Sequence, residues 1–104
     1  MKTIKTLVEN IRDELHDAEK YAKLAMEYRE DYPEMADTFV TLSKQEVNHA
    51  TMLHNHVDRF IRDYRAKNGE PPAGMQAVYD WEHEKMIDNM AKVRVLQEMA
   101  SEKR

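Results

Sequence analysis

Glu46-Val47-Asn48-His49 sets a carboxylate and an imidazole three residues apart. On an α-helix that spacing turns both side chains to the same face, about one turn from each other. Together they are good donors for a first-row divalent metal, the carboxylate as a hard ligand and the imidazole as a borderline one. The stripe that carries them is otherwise largely apolar: Met35, Phe39, Leu42, Glu46, His49, Leu53, His56 and Phe60 follow one another in steps of four and three. This rhythm predicts a continuous helix whose Glu46 and His49 lie on its buried face. Burying a charged group there is costly unless something pairs with it, and a metal ion is one such partner. A second reading needs no ion, with Glu46 and His49 as a buried structural polar pair. Glu14 is the third candidate ligand, and Tyr21 lies seven residues further, two turns along the same face, where a phenol can stand beside an ion.

Other polar residues carry weaker signals. His56 shares the stripe but has no acidic partner at its level, whereas His16 and His54 read as surface residues. The eight methionines are most simply core filler. Glu82 and His83 straddle the apolar stripe of a third helix. They either meet His56 in a minor second site, reach a site in a partner chain, or form the wet edge of an amphipathic helix.

The elements that must position these residues follow from composition and punctuation. The 104 residues suffice for one domain, residues 1–104, and only two glycines and three prolines interrupt them, which favours long helices over a turn-rich β fold. Helix 1 is expected at about 4–30, helix 2 at about 33–67 and helix 3 at about 74–100. Thr6-Leu7-Val8-Glu9 matches a capping box for the first helix, and Asp31 is the candidate N-cap of the second, with Pro33 in its first turn. Asn68-Gly69 stops helix 2, and Pro71-Pro72 cannot continue it. So short a link between helices 1 and 2 makes them an antiparallel hairpin. Counted from Asp31, Glu14 lies 17 residues before the turn, and Glu46 and His49 lie 15 and 18 after it. All three therefore share one level. His83 falls roughly 10 Å away along the bundle, at the level of residues 56–58.

Several function classes are disfavoured. Cysteine is absent, which removes disulfides, thiol catalysis, Cys-ligated zinc and iron–sulfur clusters. A net charge of −4 gives no footprint for nucleic acid. No run of about 18 apolar residues provides a membrane span, and the first residues carry no secretory core, so a cytoplasmic location is the expectation.

Glu14-Leu15-His16-Asp17-Ala18-Glu19-Lys20-Tyr21 followed by Glu46-Val47-Asn48-His49 resembles the first helical pair of the ferritin-like superfamily, close to rubrerythrin. It is also similar to the shortened ferritins that work inside encapsulin shells. The similarity covers roughly residues 7–62. It implies that Glu14, Glu46 and His49 ligate iron, with manganese or zinc as other divalent candidates, and that Tyr21 is a neighbour of the metal. It further implies oxidation of Fe(II) by oxygen or peroxide, of a ferroxidase or peroxidase type, in iron handling or oxidative-stress defence, with an external electron donor that the sequence does not identify. The chain departs from the full pattern, having neither a second Glu-x-x-His nor a fourth helix. The expected architecture is thus all-α: three long helices forming an up-down antiparallel hairpin, a ferritin-like half bundle completed by dimerisation. The partner expected is another copy of the chain, in at least a homodimer. The rival function is a non-catalytic helical oligomerisation or interaction module with a structural Glu–His pair.

Overall fold

A computed structural model describes residues 2–102. It is all-helical, with α1 at Lys2–Tyr28, α2 at Pro33–Asn68 and α3 at Ala73–Ser101. The helices lie side by side in a rod of 56 × 17 × 16 Å. Contacts at successive levels give the directions. Ser43 meets Ala18 and His49 meets Glu14, so α1 and α2 are antiparallel. Glu82 meets Arg12 and Lys92 meets Glu19, so α3 runs parallel to α1 and packs along it more extensively than along α2. Among the described residues no helix is long and apolar enough to cross a membrane.

The helices touch along a line of small side chains. On α1 the buried residues are Ile11, Leu15, Ala18, Ala22 and Ala25, and on α2 they are Ala36, Val40, Ser43, Ala50 and Val57. Both sets advance in steps of three, four or their sum, seven, as one face of a helix must. The α2 face corrects the expectation from sequence. It is turned one residue, about 100°, from the stripe of Met35, Phe39, Leu42, Glu46, His49, Leu53, His56 and Phe60. Alanine and serine let the helix axes approach, so these small residues take the contact line. The bulkier Phe39, Leu42, Leu53 and Phe60 are pushed to its shoulder and are only half-buried. Glu46 and His49 go with them. Their side chains remain 19% and 51% exposed, so they border the seam instead of lying within it.

One buried polar chain crosses this seam. The Ser43 hydroxyl donates to the carbonyl of Ala18 at 2.6 Å, and Gln97 Nε2 donates to Ser43 Oγ at 2.8 Å. A single hydroxyl thereby ties all three helices, and both polar side chains are satisfied although nearly inaccessible.

The ends of the helices differ from the expected caps. Thr6 is no N-cap, because α1 is already helical at Lys2 and the Thr6 hydroxyl donates back to the Lys2 carbonyl at 3.1 Å. Asp31 does not cap α2. Tyr32 holds that position without a side-chain bond, ahead of Pro33, whose fixed φ starts the helix unaided. Arg29 supplies the missing order. Its guanidinium donates to the carbonyls of Ala100 and Pro33 and to Asp37 Oδ1, stapling the turn to the end of α3. Gly69 closes α2 at φ 77°, with its N–H bonded to the Arg65 carbonyl at 3.0 Å.

Candidate metal centre

The α1–α2 hairpin has two shoulders. On one, Arg12 and Glu19 of α1 face α3 and pair with Glu82 and Lys92. Among the described residues no helix packs against the other shoulder, which carries Glu14, Tyr21, Glu46 and His49. The antiparallel register sets Glu14 level with the Glu46–His49 turn. His49 Nδ1 stands 3.5 Å from Glu14 Oε2 and 3.7 Å from Glu46 Oε2. One donor atom from each of the three residues falls within 4.8 Å of the others. Donors bound about 2.0–2.2 Å from a shared ion lie no more than about 4.4 Å apart, so small side-chain adjustments bring this set onto one centre. Two carboxylates and one imidazole suit a first-row divalent metal. Among the described residues no other group of three or more acidic or histidine side chains meets the same spacing.

Aromatic side chains wall the centre on the side of the α1–α2 turn. The Tyr21 ring stacks on Phe39 with centroids 6.1 Å apart, and Phe39 continues to Tyr28 at 6.4 Å. The half-buried Tyr21 thus shares the shoulder with Glu14, but its ring contact is with Phe39.

The remaining candidates are placed elsewhere. His56 is exposed and, among the described residues, belongs to no group with the spacing of metal ligands. Glu82 is engaged by Arg12, whose Nη2 lies 2.8 Å from both of its carboxylate oxygens, and this bond holds the guanidinium pKa above its ordinary value. His83 meets His54, not His56: His54 Nε2 and His83 Nδ1 are 3.2 Å apart. The assignment of His54 to the surface is therefore also corrected, since its side chain is only 19% exposed. Both corrections have one cause. The true inner face of α2 continues Ala36, Val40, Ser43, Val47, Ala50, His54 and Val57, so the one-residue turn that moves His56 outward brings His54 in. The run of small residues on that series was the signal for it. Beside His83, Tyr79 donates to Asp58 Oδ1 at 3.2 Å, and burial, followed by the charge of Asp58, pushes its phenol pKa up.

An apolar cavity of about 800 Å³ opens at the far end of the rod, between Ile4 and Val8 of α1, Ile61 and Tyr64 of α2, and Met75 and Val78 of α3. Glu14, Glu46 and His49 do not line it.

A family model described as Rubrerythrin matches residues 5–104, and the chain belongs to that family, within the ferritin-like superfamily. No curated protein and no solved structure matches it significantly.

Proposed function

We propose that this member of the rubrerythrin family binds iron through Glu14, Glu46 and His49, and that two copies facing each other across a two-fold axis assemble a di-iron centre. The observation that carries the proposal is the convergence of these three donors on the shoulder that α3 leaves open. Di-iron carboxylate bundles take a Glu from each of two helices and a Glu-x-x-His from each of the other two. One chain supplies half of that set, and a second hairpin apposed to the first supplies the rest and rebuilds a four-helix core.

A bound iron pair would supply the redox chemistry by which Fe(II) is oxidised with oxygen or peroxide. The chain's own residues have distinct tasks. Glu14 and Glu46 supply hard anionic donors, which favour the more highly charged oxidation state. His49 adds a neutral donor, completing the half set. Phe39, Leu42 and Leu53 are half-buried in one chain. Across a dimer they would exclude water from the carboxylates, which strengthens the carboxylates' attraction for a cation.

Metal analysis after Fe(II) loading tests the assignment, with circular dichroism to follow the fold. The native chain should hold iron stoichiometrically, while Glu46→Ala and His49→Ala should lose it and stay helical. Wild-type iron content in either variant would refute the ligand set. The rival role as a structural polar pair draws on the same His49–carboxylate spacing, which needs no ion to be favourable. In that case both variants would unfold in metal-free buffer, and Fe(II) would leave the native melting temperature unchanged.

A further inference from the structure

His54 and His83 face each other between α2 and α3, on the side of the hairpin away from Glu14 and His49. Their nearest nitrogens are 3.2 Å apart, their ring centroids 5.1 Å, and the ring planes tilt by 31°. Two nitrogens bound to one tetrahedral zinc at 2.0–2.1 Å lie about 3.3 Å apart. A head-on N–H···N bond of the observed length would separate the centroids by about 5.5 Å, so the nitrogens approach at an angle, as two ligands of one ion do.

The neighbours fix both rings. Asp58 Oδ2 lies 3.6 Å from His54 Nδ1, the nitrogen facing away from His83. A carboxylate there favours the proton on Nδ1 and leaves the Nε2 lone pair directed at His83, the arrangement found behind metal-binding histidines. Asp58 is itself held by the Tyr79 hydroxyl at 3.2 Å. Tyr79 also stacks on His83, with centroids 5.9 Å apart and planes within 22°. Both histidines are only partly buried, so a cation and the waters completing its shell have access.

We propose that His54 Nε2 and His83 Nδ1 form a second metal site, for a borderline divalent cation such as Zn²⁺, with Asp58 orienting His54 from behind. Without the cation, one proton lies between the two nitrogens, donated by His83 Nδ1 to His54 Nε2. With it, the His83 proton moves to its Nε2, both facing nitrogens become lone-pair donors, and the ion pins the first half of α3 to α2.

Zinc titration of the Glu46→Ala/His49→Ala chain, by calorimetry and thermal melting, isolates this site from the first one. One zinc per chain and a melting temperature that rises with zinc are expected. His83→Gln in that background should abolish both effects. Asp58→Asn should keep the stoichiometry and weaken binding roughly 10- to 100-fold, the usual cost of losing an orienting carboxylate. Zinc affinity unchanged by His83→Gln, or no zinc binding in the double variant, would overturn the proposal. The native chain allows the same decision without any substitution: zinc should shift the imidazole NMR signals of His54 and His83, and shifts confined to His49 would count against the site. Loss of iron binding at Glu46 and His49 leaves these outcomes untouched, so the two centres can fail separately.

Discussion

Glu19 is held by two lysines at once, Lys92 of α3 at 2.8 Å and Lys23 of its own helix at 3.1 Å. Their hydrogen bonds, that of Lys92 first, lower its carboxyl pKa. A group whose pKa is depressed in the folded state contributes stability above its unfolded value, near 4.3, and loses that contribution as pH falls through the lowered folded value. Glu19→Gln should therefore melt below the native chain at pH 7, by no more than about 1 kcal/mol given the exposure of both lysines. The gap should close in acid and narrow in high salt. Thermal melts across pH check this, and a gap that persists at the lowest pH would remove the ion pair as its cause. The same scale explains what was legible in the sequence. Glu14, Glu46 and His49 could be brought to one level by counting residues from the turn, because an antiparallel hairpin makes register a matter of arithmetic. The meeting of His54 with His83 could not be counted. It depends on which of two adjacent stripes faces inward, and that was settled by side-chain volume at Ala36, Ser43 and Ala50.

Each helix boundary reflects how few residues can do the job. Gly69 sits at φ 77° and ψ −161°, a conformation open essentially to glycine alone, and a Cβ there would meet nothing within 4 Å. Gly69→Ala should consequently cost about 1–3 kcal/mol through backbone strain alone, with no change in packing. Chemical denaturation would check this, and an unaffected midpoint would mean that the α2–α3 link can relax into another turn. Signals of that kind are readable in a sequence because no alternative residue supplies them. The capping signals at Thr6 and Asp31 were weaker, since a hydroxyl or carboxylate has many possible partners. At the first turn Arg29 took over, from a position no capping rule singles out. Two of its three acceptors lie at the start of α2 and the third at the end of α3, so only the tertiary structure reveals the role. The helical class itself was plain, because a chain with two glycines and three prolines has few places to break.

Over the whole molecule, the unequal cover of the hairpin matters most. α3 closes one shoulder and leaves uncovered the shoulder bearing the candidate metal donors and half-buried Phe39, Leu42, Leu53 and Phe60. If a second copy is that partner, metal and association are thermodynamically linked. Sedimentation at low micromolar concentration should then show a dimer that Fe(II) strengthens. A monomer holding two irons would contradict a shared centre. The sequence pointed to this gap through an incomplete ligand set, but only the fold places α3 away from it. The height of the donors along the rod carries one more consequence. Glu14 lies near the middle of α1, which spans Lys2–Tyr28, and Glu46 and His49 lie near the middle of α2, which spans Pro33–Asn68. A two-fold axis through a point at mid-length lays one rod over the other from end to end. A centre near either tip would instead stagger the copies and leave half of each apolar shoulder bare, ready to recruit a third. In a two-fold dimer of that kind, mid-length placement would leave little of either apolar shoulder bare, and the isologous contact would close at two.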